Sequence, residues 1–280
     1  MNFTNVTKIW FPKSKISKQN IIDYYDKISN YFIAQAQNHL MVLQRFPDGI
    51  KQVSFYQKNI SDYFPDFIDR KTILLKLGQR QTLVVINNAQ SLLYLVNQGT
   101  IVFHSWLSTT QNQNKPDKII FDLDPSTSDL KPLRIGAKLL KKMLEDRGLV
   151  PFLMTTGSHG YHITVPIKPE HSFAKIRTFA KQMAQDLVNT HPDLFTITLT
   201  KSKRGKKVFV DYLRNSFGAT AVAPYSVRAI EKAPVATPIH WDELSKTTPQ
   251  KYNIKNIFKR LATKGDAWKD FHKKRKHLEL

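Results

Sequence analysis

Two aspartates set one residue apart, Asp122 and Asp124, are the side chains whose type and spacing point most directly to chemistry. They lie in Lys118-Ile-Ile-Phe-Asp-Leu-Asp-Pro-Ser126. An apolar run closed by proline reads as a buried strand. Side chains two apart on a strand share a face, so both carboxylates project together with Leu123 behind them. Adjacent carboxylates repel unless a cation lies between them. Hard divalent cations with oxygen ligands, Mg²⁺ or Mn²⁺, fill that place in phosphoryl and nucleotidyl transfer. The competing reading is a strand end whose aspartates face water. Asp211 closes a second apolar run, residues 207–213. A third carboxylate would complete a two-metal clamp on an in-line displacement, although taken alone it is another strand end.

Other candidates surround these acids. Thr155-Thr-Gly-Ser-His-Gly160 lies between two strand-like runs. Its glycines permit a tight turn whose N–H groups converge on an anion, and Ser158 and His159 could add donors. The Gly-Lys-Ser/Thr ending of a Walker loop is missing, and a plain hairpin is the alternative. His159 and His162 make a poor zinc pair in a chain without cysteine. His162 suits a phosphate donor or a satisfied core histidine. Arg214 and Arg228 follow the third aspartate, and guanidinium forks fit phosphate oxygens; ordinary surface charge explains them equally. Phe55 and Tyr56 beside Lys58, and Arg45 beside Phe46, interleave rings with cations as single-strand binders do, as do many cores. Asn5, Lys8, Lys18 and His104 take no role on physical grounds alone.

The bulk composition favours a polyanionic partner. The 280 residues hold 43 Lys and Arg against 22 Asp and Glu, a net charge of +21. The basic residues are spread along the chain rather than gathered on one amphipathic helix, which favours nucleic acid over a membrane surface. The absence of cysteine excludes disulfides, thiolate zinc sites and a cysteine nucleophile, and suits a reducing cytoplasm. No secretory signal or membrane-length apolar run is visible.

The elements that must position these residues are mixed. Ser17 reads as the N-cap of a helix carrying Ile21, Ile22, Tyr25, Ile28 and Phe32 at helical spacing. Strands are expected at residues 40–46, 53–58, 83–86, 100–106, 152–156 and 161–167. Helices are expected at 91–98, stopped by Gly99, from Pro132 to Gly148, and at 173–188. Past Glu231 come a short helix at Trp241 and a basic helix at 253–264. Mixed order of strands and helices argues an α/β or α+β fold.

Phe121-Asp-Leu-Asp-Pro125, Thr156-Gly-Ser-His-Gly-Tyr-His162, Val210-Asp-Tyr-Leu-Arg-Asn215 and Ala221-Val-Ala-Pro-Tyr-Ser-Val-Arg228 together resemble the polymerase domain of bacterial ligase D, within the archaeo-eukaryotic primase superfamily. Arg45-Phe-Pro-Asp-Gly49, Phe55-Tyr-Gln-Lys58, Leu95-Val-Asn-Gln98 and Phe103-His104 resemble the same family in the same order. The resemblance runs from about Asn5 to Leu244.

It implies a primase–polymerase catalytic core with mixed or antiparallel sheets and an N-terminal subdomain. The expected division is 1–115 for DNA ends and 5′-phosphate, 116–250 for metal and nucleotide, and 251–280 as a basic helix and tail. Asp122, Asp124 and Asp211 fall on three metal-binding aspartates, for two Mn²⁺ or Mg²⁺ ions with Mn²⁺ preferred. Ser158, His159, His162, Arg214, Asn215 and Arg228 fall at or near the nucleotide. Asn5, Lys8 and Lys18 fall on a 5′-phosphate pocket. Phe55 and Tyr56 fall on aromatics that pack on the template, with Arg45, Lys58 and His104 near the DNA.

The implied reaction fills gaps and extends 3′ ends at 5′-phosphorylated DNA breaks in end joining or gap repair, from NTP or dNTP, with ribonucleotides preferred. Expected partners are DNA ends or gaps, a Ku-like end binder and a separate DNA ligase, with no membrane. A primase starting chains de novo and a decayed DNA-end-binding protein are the rival readings. His159 stands where the family usually has Lys or Arg, which weakens one phosphate contact. Gln44 stands where relatives often carry a base before Arg45. The 280 residues correspond to the polymerase part of a multidomain family, as a separate protein or as one piece of a longer one.

Overall fold

The computed structural model describes residues 2–74 and 78–280. In chain order the elements are β1 (Ile9–Phe11), β2 (Ile16–Ser17), α1 (Lys18–Ala36), β3 (His39–Arg45), β4 (Phe55–Gln57), β5 (Arg70–Leu74), β6 (Arg80–Val85), α2 (Ala89–Asn97) and β7 (Thr100–Thr109). There follow β8 (Lys118–Asp124), α3 (Lys131–Glu145), β9 (Phe152–Thr155), β10 (Tyr161–Pro166), α4 (Phe173–Thr190), β11 (Phe195–Thr196), β12 (Val208–Asp211), β13 (Thr220–Val222), β14 (Thr237–Ile239) and α5 (Ile257–Lys264). The fold is mixed α/β with antiparallel and mixed sheets.

The first compact unit comprises Met1–Gln113, Thr220–Ala236 and Tyr252–Gly265. Its sheet runs β13-β7-β3-β6-β5, with β4 also paired to β3. The unbroken apolar run of β3 suits this central place, because both faces are covered. One cluster joins Leu40, Val42, Ile73, Leu83, Val85 and Trp106. Elsewhere in this unit Tyr25, Phe32 and Phe103 meet edge to face. Burial pushes the Tyr25 hydroxyl far up, and it donates to Ile101 O at 2.7 Å. At the start of α1, Ser17 and Asn20 exchange backbone-to-side-chain bonds as a capping box. Past the end of α2, Gly99 takes φ +93°, a left-handed conformation open to glycine.

The second unit comprises Asn114–Ala219, Thr237–Lys251 and Asp266–Leu280. Its sheet runs β11-β12-β8-β10-β9-β14. Only β11 and β12 pair in parallel among these described strands. In β8 the fully buried Ile119, Phe121 and Leu123 alternate with Ile120, Asp122 and Asp124. Helices α3 and α4 pack against this sheet. Pro132 sits in the first turn of α3, as expected. The helix stops at Glu145, earlier than the glycine at 148, and the turn beyond it reaches Gly148 at φ +72°.

The linear division 1–115, 116–250 and 251–280 does not describe these units. Strand β13 pairs with β7, and Val235 N donates to Tyr252 O, so both later segments belong to the first unit. The basic tail belongs to the second. There Trp268 Nε1 donates to Leu153 O at 3.0 Å, and Arg275 pairs with the buried Asp117 at 2.7 Å. Among the described residues no helix is long and apolar enough to cross a membrane.

Candidate active site

Register builds the acidic centre. On β8, Asp122 stands opposite His162 of β10 on one side and Asp211 of β12 on the other. Directly opposed residues of antiparallel strands point to the same face. His162, Asp122 and Asp211 therefore form a row across three strands, and Asp124 lies two residues along on that face. Strand β12 ends here because Asp211 Oδ1 accepts from Leu213 N at 2.8 Å, a turn that leads into a 3₁₀ segment, Leu213–Asn215.

The buried Asp122 is held from both sides. His162 Nε2 lies 3.4 Å from its Oδ1. Arg214 Nε donates to its Oδ2 at 3.2 Å and lies 3.4 Å from Asp211 Oδ2. Burial alone would push the Asp122 carboxyl up, but His162 and Arg214 outweigh it and hold the group below the ordinary carboxylate range. Burial raises Asp211 in spite of Arg214.

The donor set suits a hard divalent cation. It is three carboxylates, and the buried Asp122 Oδ1 has His162 Nε2 at 3.4 Å outside hydrogen-bond geometry, which leaves its acceptor capacity unfilled. Among those residues no three His, Asp or Glu side chains yet converge as a ready ligand cluster, and the Arg214 guanidinium stands between two of the acids.

Burial, and then the neighbouring Asp122 charge, push the Asp124 carboxyl up to about 6. A carboxyl raised on folding adds stability below its unfolded pKa of about 3.9, and that contribution is lost as pH rises through the folded value. Without divalent ions this contribution to the melting temperature should therefore be lost as pH rises from about 4 to about 6. Asp124→Asn should remove part of that loss; identical slopes for the two proteins would contradict this.

The glycine turn differs from an anion nest. Thr156 Oγ1 accepts from both Ser158 N and Gly160 N at 3.2 Å, so those N–H groups are spent inside the turn. Ser158 Oγ and His159 Nδ1 share a hydrogen bond of 3.0 Å at the surface. Beside them lies a cleft of about 540 Å³ bounded by residues 125–128, Leu130, Ser158, His159 and residues 248–250. Gln250 donates to Ser158 O at 3.0 Å. No local pattern marked Thr156 or Gln250, because both partnerships depend on how the turn folds.

Two residues expected at the nucleotide bond to protein groups in this structure. Asn215 is fully buried. Its amide accepts from Ile120 N at 2.9 Å and donates to Ile120 O at 2.7 Å and to Tyr212 O at 2.8 Å. With its hydrogen-bonding capacity directed into the protein, it braces β8 instead of facing a ligand. Arg214 lies on the carboxylates.

The remaining predicted residues lie in the first unit. Arg228 is half-buried, and its N–H donates to Pro234 O. Lys18 N donates to Lys8 O at 2.8 Å, which sets the two lysines side by side. Lys8 pairs with Asp48, and Lys18 Nζ donates to Thr4 O and Asn97 O. Asn5 holds the start of this segment with a left-handed φ of 52°. Arg45 bonds Gln98 O, Gln57 Oε1 and Tyr63 Oη, and its guanidinium lies 5.3 Å from the Phe55 ring centre. Tyr56, 57% exposed, meets His104 at 5.7 Å, and Lys58 is exposed nearby in sequence. Tyr63 joins this aromatic and basic group without having been singled out, since only the fold brings it to Arg45.

An acidic row on an antiparallel sheet, beside a turn bearing a hydroxyl and an imidazole, on a strongly basic chain, suits metal-assisted transfer chemistry on a polyanion. The sequence model of the family described as LigD, primase-polymerase domain, matches residues 17–268, and the chain belongs to that family. A Bacillus subtilis protein named bifunctional non-homologous end joining protein LigD is 31% identical over 276 residues, spanning 98% of this chain and 44% of that protein. The multifunctional non-homologous end joining protein LigD of Pseudomonas aeruginosa is 32% identical over 264 residues, spanning 93% of this chain and 31% of that one. The polymerase domain from Mycobacterium tuberculosis ligase D, solved in complex with DNA, matches with a TM-score of 0.92 at 29% identity, covering 98% of this chain and 99% of the other. The chain spans less than half the length of the curated relatives it matches.

Proposed function

We propose that the chain adds nucleotides to 3′ ends at DNA gaps or breaks that carry a 5′-phosphate, copying the opposing strand and preferring ribonucleotides. The observation that supports this most is the placing of Asp122, Asp124 and Asp211 on one face of adjacent strands. These three carboxylates would hold two divalent ions, Mn²⁺ in preference to Mg²⁺. When bound, such ions neutralise charge at the attacking hydroxyl and at the triphosphate.

The protein's own groups bind and orient. His162 fixes Asp122 from the buried side. Ser158 and His159 border a cleft with room for the nucleotide's polyphosphate. The exposed Phe55 and Tyr56 offer rings for the template strand, with Lys58 and the buried Arg45 behind or beside them. Asn5, Lys8 and Lys18 offer the 5′-phosphate a cationic pocket. End joining or gap repair alongside a Ku-like end binder and a separate ligase, in a reducing cytoplasm, is the setting proposed.

The direct test is nucleotide addition on 5′-phosphorylated gapped DNA, comparing rNTP with dNTP and Mn²⁺ with Mg²⁺. No incorporation under any of these conditions would overturn the proposal. Lys8→Ala or Lys18→Ala should lower the preference for a phosphorylated over an unphosphorylated gap by about tenfold, the scale of one lost charge-assisted contact. Burial and the nearby Lys8 bring the Lys18 ammonium down to about 8. The preference should therefore weaken above that pH, as the ammonium loses its charge. An unchanged ratio of the two substrates in both variants would remove the pocket from these lysines.

A further inference from the structure

We propose that Arg214 is a positioning residue: a built-in counter-cation that holds Asp122 and Asp211 together and yields them to a divalent ion, its guanidinium passing to nucleotide phosphate. This rests on the metal reading above. The geometry has three parts. The guanidinium spans two carboxylates from facing strands, at 3.2 Å and 3.4 Å. Its backbone is anchored, because Leu213 N is bound by Asp211 and the side chain of the adjoining Asn215 is locked onto Ile120. Its side chain is nevertheless 41% exposed, whereas that of His162, the imidazole neighbour across Asp122, is 4% exposed. Of the two groups facing Asp122, only Arg214 has a path out.

A guanidinium and a divalent ion cannot share the same two carboxylate oxygens, since like charges a few ångströms apart repel strongly in a partly buried site. Entry of the ion therefore expels Arg214. Arg214 Nε lies within 3.4 Å of a carboxylate oxygen of each acid, in the place where an ion shared by the two would sit. Once released, the fork retains its five donors and suits a triphosphate, whose added negative charge favours the outward position. Nucleotide and metal then promote each other's binding by the same factor.

The test is Mn²⁺ titration followed by electron paramagnetic resonance, without nucleotide, on the wild type, Arg214→Gln and Arg214→Lys. The glutamine variant should bind Mn²⁺ on the order of tenfold more tightly, the size of one charge-assisted pair that no longer competes. The lysine variant, which keeps the cation, should stay near the wild type. A purely structural role would instead weaken binding along with melting temperature. Equal or weaker Mn²⁺ binding by the glutamine variant overturns the inference.

The wild type supplies an independent measurement. The Arg214 Nε–H resonance, assigned through its loss in either variant, should shift and exchange faster as Mg²⁺ is added. A resonance unmoved at saturating Mg²⁺ overturns the inference even where the glutamine variant fails to fold. Absence of Mn²⁺ binding by the wild type would overturn the metal reading itself, and this inference with it.

Discussion

Asp122→Asn should abolish nucleotide addition while leaving affinity for gapped DNA within about twofold. Asp122 is the acid that touches every other part of the centre: it opposes both His162 and Asp211 in the sheet and receives Arg214. Asparagine keeps the shape and one acceptor oxygen but removes the charge that would hold a divalent ion. Several kcal/mol of charge stabilisation depends on such an ion, and about 1.4 kcal/mol is a factor of ten in rate. The expected loss is therefore on the order of 10³-fold or more. Single-turnover addition on a 5′-phosphorylated gap measures the rate, and fluorescence anisotropy with the same DNA measures binding. A rate within tenfold of the wild type would remove Asp122 from the reaction. Loss of DNA binding in parallel would show that the substitution had damaged the fold.

The second large effect belongs to a residue with no side chain. A Cβ placed on Gly160 would lie 2.0 Å from Leu123 O and 3.3 Å from Asp124 Oδ1. The first of these is backbone of β8, between the two aspartates, so no rotamer change relieves the clash. Gly160→Ala must push the acidic strand and the 156–160 turn apart. The expected cost is about 3 kcal/mol, the upper part of the range for overpacking. For a chain of this size that is a drop of roughly 10 °C in melting temperature. Nucleotide addition should fall further than stability alone predicts, because Asp124 is among the groups displaced. Unchanged melting and activity would show that the turn has room that these distances deny. Gly160 does not take a left-handed φ, so the substitution tests the steric clash and not backbone strain.

What the sequence disclosed follows from how local each signal is. The run 119–121 into Asp122 and Asp124 shows its strand and its alternating faces within seven residues. Ser17 and Asn20 show a helix start within four. Strand β14 gave little sign, since Pro238 sits inside it; proline is tolerated there because β14 is the edge strand beside β9. Strand β5 is largely exposed and has no apolar alternation. Asp211 could be joined to Asp122 only by resemblance, because cross-strand register is set by tertiary structure. The same holds for Arg214 and Asn215. Adjacent in sequence, they turn opposite ways, one to the acids and one into the protein, and no pattern in Asp211-Tyr-Leu-Arg-Asn215 distinguishes them. Buried Asp117, which ties Arg275 to the start of β8, was likewise invisible before the fold brought the two together.

The interleaved path of the chain has a consequence for its synthesis. Neither compact unit is a continuous stretch, and each needs residues made after position 250. When the three aspartates have left the ribosome, the segments that complete the first unit, through Gly265, are still to come. The partners of Leu153 and Asp117 in the second, Trp268 and Arg275, come later still. A nascent chain thus emerges with neither unit closed, and the catalytic sheet gains these braces only once residues 266–280 have been made. Neither unit can close before residues past 250 are made, so a ribosome stalled short of them holds a strongly basic chain with an unfinished acidic centre.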